Sequence, residues 1–217
     1  VLTFQERPTG TFDPLRERLR ADKGQVRKLG ADYLAYSLLD TVIDRYFTVL
    51  EQLTERTEAL EDTLLQKATP AALKEIHAIK RETMVMRRAV WPLREVINVL
   101  TRADQRFFKT ETQPYLRDIY DHTVHVIESL EGIRDLIAGM LDIYLSSVSN
   151  RVNLEVRILT VIATLFMPAA LIAGIFGMNF RSMPLIADSD GFLVALGMMA
   201  TIAAIMVTVF WRRRWLG

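Results

Sequence analysis

The sequence predicts a mainly α-helical membrane protein, and three patterns support that prediction. Two apolar runs, from Ile158 to Met178 and from Gly191 to Trp211, contain no charged residue. Each run would form roughly 30 Å of helix, the thickness of the hydrocarbon core of a bilayer. Nearly all of the charge lies in residues 1–157, where apolar residues recur at three-to-four spacing. The chain therefore divides into a water-exposed helical part and a membrane hairpin.

Composition excludes several classes of protein. None of the 217 residues is a cysteine, so the chain can form no disulfide framework and no thiolate metal site. The sequence has no nucleophile–base set, no phosphate-binding loop and no nucleic-acid-binding motif. We therefore expect neither an enzyme nor a nucleic-acid-binding protein. The net charge of +1 averages two unlike regions and indicates no partner.

Residues 1–30 are expected to be the remnant of an N-terminal α/β domain followed by a short helix. Val1 to Glu6 alternates like a β-strand, and residues 7–10 have the composition of a turn. A lone strand cannot pair, so we interpret it as the last strand of a sheet that precedes this chain. Asp13 then starts a short helix that ends before Gly24.

Residues 31–113 predict a cytoplasmic helical hairpin. One helical pattern runs from Ala31 to Ala68 and a second from about Ala71 to Leu100, with Thr69 as the N-cap of the second helix. So short a connection predicts an antiparallel pair. The residues expected to point inward are Leu34, Leu38, Val42, Tyr46, Val49, Leu53, Leu60, Leu64, Ile76, Ile79, Val85, Met86, Val90, Leu93 and Ile97.

A third helix should begin at Pro114 and form a cytoplasmic stalk over residues 114–157. The same helix should continue into the first membrane helix, residues 158–178, because no breaker occurs before Pro168. It would be about 95 Å long. Helices in water are stabilised mainly by packing of their apolar face, so we expect the stalk to pack against the hairpin or against further copies of the chain.

Basic residues predict how the protein is oriented in the membrane. Arg151 and Arg157 precede the first span, and residues 212–214 are all arginine. By the positive-inside rule, both ends of the membrane hairpin are cytoplasmic and the connecting loop is external. We therefore expect a multi-pass protein of the inner (plasma) membrane. The remaining predicted segments are the external loop at 179–190, the second membrane helix at 191–211 and the basic cytoplasmic tail at 212–217.

One face of the lower stalk and the first span carries small and weakly polar residues. Their spacing alternates between four and three, which places them on one side of a helix. In lipid such a face favours close packing between helices. It also permits a water-filled path along a symmetry axis, which requires a ring of copies because two spans cannot enclose a channel. Both interpretations stay open for Ser149, Asn153, Val156, Thr160, Ala163, Met167, Ala170 and Gly174.

Two groups of polar residues each have a structural and a functional interpretation. Asp118, His122 and His125 share one face of the stalk and could supply metal ligands, but we favour polar residues of the stalk surface or of a contact between copies. Acidic residues also crowd the first hairpin helix near its tip. We favour a solvated face over a field that gathers cations for Glu51, Glu55, Glu58, Glu61 and Asp62.

Several motifs resemble the CorA family of magnesium channels. A Gly-Met-Asn tripeptide is weak by itself, but here it lies between two predicted spans and is followed by Met183 and Pro184. The basic tail matches as well, and the resemblance covers essentially the whole chain. The longer matching motifs are Gly-Ala-Asp-Tyr-Leu-Ala-Tyr-Ser-Leu-Leu-Asp (30–40), Arg-Asp-Ile-Tyr-Asp-His (117–122), Tyr-Leu-Ser-Ser-Val-Ser-Asn (144–150), Ile-Ala-Thr-Leu-Phe-Met-Pro (162–168) and Ile-Ala-Gly-Ile-Phe-Gly-Met-Asn-Phe (172–180).

The resemblance implies a funnel-shaped homopentamer in the lipid bilayer whose first membrane helix lines a pore for Mg²⁺, with Co²⁺ and Ni²⁺ as further candidates. Gly177, Met178 and Asn179 match the external selectivity loop. Asp40 and Asp118 match acidic residues of intersubunit sites where cytoplasmic Mg²⁺ is sensed. The positions that match the pore lining are Asn153, Val156, Leu159, Met167 and Ala170, with Asp142 as an acidic ring below the gate.

Three residues depart from the pattern common in the family. Phe176 replaces a tyrosine before the tripeptide, Leu185 replaces a glutamate after Met-Pro, and Ala170 replaces a threonine found in some members. Two alternatives to a magnesium channel remain. One is a Zn²⁺ transporter of the same superfamily, against which the Gly-Met-Asn tripeptide argues. The other is a membrane-anchored helical receptor or scaffold without a pore.

Overall fold

The protein is described by a computed structural model that covers residues 1–7, 9–22, 24–102, 107–178, 190–213 and 215. Within these residues the regular structure is α-helical. The chain divides into two compact units, Val1–Leu145 and Ser146–Gly217, with one long helix that belongs to both. The helices are α1 (Asp13–Arg20), α2 (Ala31–Gln66), α3 (Pro70–Arg102), α4 (Gln113–Phe176) and α5 (Gly191–Arg212).

The predicted hairpin consists of α2 and α3. Gly30 precedes α2 with φ of 103°, a backbone conformation that a side chain would disfavour. Three residues connect the helices, and the Thr69 hydroxyl accepts a hydrogen bond of 3.2 Å from the Ala72 amide. This confirms Thr69 as the cap of α3, since an N-cap side chain satisfies one of the free amides of the first turn.

The first unit, Val1–Leu145, is called the water-exposed unit below, and it is built around a repeat of mostly apolar residues on α4. Apart from Ile127, the buried residues of α4 alternate at spacings of three and four, the pattern of coiled-coil packing. Residues of α2 and α3 with the same periodicity fill the other two sides of one apolar core. The stalk part of α4 therefore packs against the hairpin of its own chain, one of the two partners expected for it. The repeat consists of Leu116, Ile119, Thr123, Val126, Leu130, Ile133, Ile137 and Met140.

A second apolar cluster joins the start of α2, the end of α3 and the start of α4. Tyr33, Tyr36 and Tyr115 form a triangle of rings whose centroids are 5.1–5.2 Å apart. Ile43 and Ile97 lie fully buried beside them. Aromatic contacts of this kind stabilise beyond the area that they bury. The cluster holds the two ends of the hairpin against α4.

Asp32 connects α2 to the segment that precedes α4. Its carboxylate accepts hydrogen bonds from the Lys109 amide at 3.1 Å and from the Thr112 hydroxyl at 2.8 Å. Burial tends to raise the pKa of Asp32, but these hydrogen bonds and those from amides at the start of α2 outweigh it, so the pKa is lowered. Asp32 therefore stays ionised and fixes where α4 begins.

Some sequence-based predictions about this unit are wrong. Val49 and Val85 are exposed rather than inward-facing, because the seven-residue repeats of α2 and α3 place Leu50 and Met86 in the core instead. Residues 1–5 alternate like a strand, but they form none, since they have no neighbouring strand to pair with. The predicted start of α1 at Asp13 is confirmed, and the Asp13 carboxylate pairs with Arg16 at 2.7 Å.

The second unit contains the end of α4 and all of α5. Both helices are long and apolar enough to cross a membrane, with mean hydropathies of 2.3 and 2.4 over their most apolar windows. The hydroxyls of Thr160, Thr164, Thr201 and Thr208 donate to backbone carbonyls four residues earlier. Each helix therefore satisfies these donors internally, as an apolar environment demands.

Candidate functional site

The candidate pore-lining residues share one face of α4. At 100° per residue their positions span about 120° of the helix circumference. The lower end of this face borders an open groove beside Arg213 and Trp215, at the end of α5. Even there the side chains of this face stay exposed. The other small and weakly polar residues of the face, Ser149, Thr160, Ala163 and Gly174, are exposed as well, and the whole set is called the stripe below. The candidate pore-lining residues are Asn153, Val156, Leu159, Met167 and Ala170.

The opposite face of α4 is partly covered. Its half-buried positions recur at three-to-four spacing and lie, on average, about 150° around the helix from the stripe. The other described helix of this unit, α5, has half-buried positions at the same three-to-four spacing. The stripe lies on the side of α4 that faces away from the half-buried positions of α4 itself. The half-buried residues of α4 are Arg157, Val161, Thr164, Leu165, Pro168, Ala169, Ile172 and Phe176.

Thr160 is a polar stripe residue that the resemblance did not place among the pore-lining positions. Its hydroxyl donates to the Val156 carbonyl at 2.7 Å, so its proton is already used. The oxygen keeps lone pairs that can accept hydrogen bonds on the exposed side. Hydroxyl and amide oxygens of this kind can accept hydrogen bonds from the water that surrounds a cation. The signal in the sequence was its place in the stripe beside Asn153.

The stripe leads to the first two residues of the predicted selectivity loop. α4 ends at Phe176, and the Gly177 amide donates to the Ala173 carbonyl at 2.9 Å. A Cβ atom at Gly177 would lie only 3.1 Å from that same carbonyl oxygen, which explains why glycine suits this position. Met178 follows and is half exposed. Asn179, together with Leu185, lies outside the described residues.

The predicted sensing residues Asp40 and Asp118 come within electrostatic reach of each other across α2 and α4. Burial raises the pKa of Asp40, and the carboxylates of Asp44 and Asp118 raise it further, whereas His122 and the Tyr36 hydroxyl oppose the rise. Burial and the same Asp40 carboxylate raise the pKa of Tyr36. Negative charge therefore accumulates at this point, and a divalent cation would relieve it.

The structure does not gather a metal-ligand set around Asp118, His122 and His125. The His122 Nε2 atom is 3.8 Å from the Asp118 carboxylate, and both imidazole rings pack against Phe47. Among the described residues, no three His, Asp or Glu side chains converge on one metal position. The favoured interpretation, polar residues of the stalk, agrees with this packing.

Two further predicted positions have simple surroundings. Asp142 is exposed on α4 within the water-exposed unit, two positions before the half-buried Tyr144. Gly174, at the upper end of the stripe, has no atom within 4 Å of the position that a Cβ would occupy. Both positions leave room for a neighbouring chain or for solvent.

Comparisons with known proteins identify the family of the chain. The family model described as "CorA-like Mg2+ transporter protein" matches residues 1–214. The cobalt/magnesium transport protein CorA of Thermotoga maritima is 45% identical over 216 residues, which cover 100% of this chain and 62% of that protein. A zinc transport protein of Yersinia pseudotuberculosis is 20% identical over the same length, with 65% of its own chain covered.

A solved structure has the same fold. The CorA magnesium transporter from Methanocaldococcus jannaschii superposes with a TM-score of 0.86 and 25% identity, over 96% of this chain and 66% of that one. The chain thus spans a little under two thirds of the length of these proteins. Because the family model matches nearly every residue and the fold agrees, the chain belongs to the family of CorA-like Mg²⁺ transporter proteins.

Proposed function

We propose that the protein is a passive channel that conducts Mg²⁺, and also Co²⁺ or Ni²⁺, across the plasma membrane into the cytoplasm. The observation that carries the proposal is the exposed stripe of small and weakly polar residues on α4, which lies opposite the half-buried face of that helix and leads to Gly177 and Met178. A face of this kind either packs against other copies or lines a water-filled path. Membership of a family of metal-ion transporters favours the path.

A pore requires several copies of the chain. Two membrane helices cannot enclose a channel, whereas a ring of copies places the same stripe around a symmetry axis. We propose a homopentamer with α4 inside and α5 outside. Rings of Leu159 and Met167 would then form apolar constrictions that stop ions by excluding water, and a ring of Asp142 would concentrate cations below them.

The external loop would select the ion with its water attached. Mg²⁺ dehydrates reluctantly, so a filter that accepts hydrogen bonds from bound water is better suited to it than one that must remove the water. Asn179 offers an uncharged amide oxygen for this purpose, and the neighbouring backbone carbonyls add further acceptors. Carboxylates at this place would hold the ion harder and slow its exit.

Asp40 and Asp118 would sense cytoplasmic Mg²⁺. Within one chain, burial and the carboxylates of Asp44 and Asp118 raise the pKa of Asp40, and carboxylates of a neighbouring copy would add to the repulsion. A bound divalent ion would relieve the repulsion and favour the closed arrangement, and loss of the ion would favour the open one. Low internal Mg²⁺ would thereby open the channel.

The two competing functions are less well supported. Identity to the zinc transport protein is 20%, against 45% to the cobalt/magnesium transport protein. A receptor or scaffold without a pore would explain the two membrane helices, but it requires no asparagine after Gly177 and Met178 and no polar residues on the uncovered face of α4.

Uptake of Mg²⁺ into liposomes containing the purified protein tests the channel. We expect uptake that falls when cobalt hexaammine, a mimic of hydrated Mg²⁺, is added. Asn179→Ala should lose most of the Mg²⁺ flux, whereas Leu193→Ala, on the exposed face of α5, should keep it. A protein with no flux, or an Asn179→Ala variant with normal selectivity, would contradict the proposal. Faster Zn²⁺ than Mg²⁺ uptake would favour the zinc transporter.

Electrical recording tests the sensing site separately. Internal Mg²⁺ should block the current of the wild-type channel, and Asp118→Asn should weaken that block. Asp121→Asn, an exposed change one turn away on α4, is the matched control. If Asp118→Asn conducts and its block by Mg²⁺ is unchanged, the residue has no sensing role and the channel itself stands.

Orientation can be tested because the chain has no cysteine. Cysteines placed at Asp188 and at Trp215 should react differently with a reagent that cannot cross the membrane. We propose that position 188 is external and position 215 cytoplasmic, with both ends of the membrane hairpin inside the cell. Labelling of position 215 in intact cells would refute this orientation.

A further inference from the structure

We propose that neighbouring copies dock through the two grooves that flank α4 in the water-exposed unit, with the basic groove of one copy facing the acidic groove of the next. The inference rests on the proposed homo-oligomer and specifies its contact surface. The basic groove lies between α3 and α4, and the acidic groove lies between α2 and α4. The occupant of each groove is thus a second copy of the same chain.

The third groove of the helix bundle is already closed. Arg56 on α2 bridges to α3, with its guanidinium 2.7 Å from the Glu75 carboxylate and 2.6 Å from that of Glu82. These ion pairs cover the seam between α2 and α3 from within the chain. The two open seams are the ones next to α4, so a partner that packs around α4 meets them first.

The basic groove has an apolar floor and a cationic rim. It is a cavity of about 360 Å³ whose floor includes the buried Ile76 and Leu130. Met84 lies at the edge with 48% of its surface exposed, and a flexible thioether of this kind adapts readily to a partner surface. The groove is lined by three basic residues, Lys80, Arg87 and Arg134, and by one acidic residue, Glu131.

The acidic groove is complementary to the basic groove in charge. Glu61 and Asp135 line it, and no basic residue does so among the described residues around it. Gly132 and Gly139 lie one heptad apart on α4, and a Cβ at either would have no atom within 4 Å. Leu136, between them, is 43% exposed. The groove therefore offers a hollow with an apolar centre and a negative rim.

Their positions along α4 satisfy the requirement of a closed ring. A heterologous interface closes into a ring when rotation about the axis brings two different patches together. With α4 close to that axis, the two patches must lie at the same height along it. The basic groove uses residues 130–141 of α4 and the acidic groove residues 132–143, so their heights agree.

Opposite charges remain available for a contact between copies. In the part of the chain that the structure describes, neither Lys80 nor Glu61 takes part in an ion pair. Arg87, by contrast, is already paired with Glu131 at 3.6 Å, and Arg134 of the basic groove is paired with Asp135 of the acidic groove at 3.0 Å. Lys80 and Glu61 are therefore the charges that the two grooves can offer to a neighbouring copy. A neighbouring Glu61 would complement Lys80, and like charges facing each other would oppose the reverse docking.

A variant that fills the hollow beside Gly132 and Gly139 tests assembly without disturbing the folding of the single chain. Gly139→Leu places its side chain in space that is empty in the single chain, and leucine is the better helix former, so the thermal stability of the unit should not fall. The dissociation constant of the oligomer in detergent, measured by analytical ultracentrifugation, should rise about tenfold or more because the partner is excluded. Glu128→Leu, exposed on α4 outside both grooves, should leave assembly unchanged.

Charge reversal provides the second test. Lys80→Glu and Glu61→Lys should each raise the dissociation constant about fivefold. The double variant should recover much of the loss, since the pair is restored across the interface. Lys74→Glu and Glu55→Lys, exposed on the same two helices, are matched controls.

The outcomes distinguish this inference from the proposed function. If the wild-type protein assembles and Gly139→Leu assembles equally well, the docking grooves are wrong and the homo-oligomer stands. The docking grooves are equally wrong if the reversals weaken assembly no more than their controls do. If the wild-type protein is monomeric at every concentration and conducts no ions, the proposed channel fails together with the inference.

Discussion

Replacing Asp32 by asparagine should destabilise the water-exposed unit. The carboxylate is 8% exposed and accepts two hydrogen bonds, one from the backbone of Lys109 and one from Thr112, a residue that is only 1% exposed. A hydrogen bond to a charged group contributes about 1.5–3 kcal/mol, and asparagine keeps one acceptor oxygen, so we expect a loss of about 2 kcal/mol. Asp32→Ala should cost about 3 kcal/mol, because it leaves the buried Thr112 hydroxyl without its acceptor.

The same contact makes stability depend on pH in a defined direction. The pKa of Asp32 is lower in the folded chain than its ordinary value of 3.8. The stabilisation is therefore complete above that ordinary value and is lost as the pH falls through the folded pKa. Asp32→Asn cannot lose a charge, so its unfolding temperature should decline less steeply on acidification than that of the wild type.

Thermal unfolding followed by far-ultraviolet circular dichroism, with the protein in detergent, measures both effects. A loss of about 2 kcal/mol in a unit of this size corresponds to a fall of about 5 °C at neutral pH. Hydrogen exchange at the Lys109 amide should accelerate as well. Asp62→Asn, an exposed change on the same helix, is the control. Equal unfolding temperatures for wild type and Asp32→Asn would refute the assigned role of this carboxylate.

Three further changes test separate features. Ile79→Ala removes a fully buried side chain and should lower the free energy of unfolding by about 3 kcal/mol, several times more than Ile79→Val, as chemical denaturation would measure. Arg56→Ala breaks two exposed ion pairs and should cost only about 1 kcal/mol, a difference that should shrink in high salt. Gly177→Ala brings a methyl group against the Ala173 carbonyl and should reduce Mg²⁺ selectivity in liposome flux, whereas Gly174→Ala has room and should reduce it less.

Local rules predicted the helices well. The proline and threonine at residues 69–70 locate the turn of the hairpin, and the structure begins α3 at Pro70. The apolar run after Arg157 continues α4 to Phe176 without interruption. These features depend on residues close together in the chain, so periodicity and capping suffice to predict them.

The assignment of individual residues to the core was less accurate. Val49 and Val85 are apolar and correctly spaced for a helix, but each neighbours another apolar residue. Only packing against the seven-residue repeat of α4 decides which of the two is buried. The strand-like alternation of residues 1–5 shows the same limit of sequence-based prediction. A strand forms only when a second strand pairs with it, and alternation within one segment does not identify that second strand.

The sequence by itself determined the order of the helices, the two membrane spans and the polar stripe, because periodicity and charge are properties of neighbouring residues. Only the tertiary structure decided that this stripe lies opposite the half-buried face of α4, and that Asp40 and Asp118 come within electrostatic reach of each other from helices far apart in sequence. It also identified Asp32 as the contact that positions α4, since its partners Lys109 and Thr112 are nearly 80 residues away. Such contacts depend on how helices pack, which no local pattern encodes.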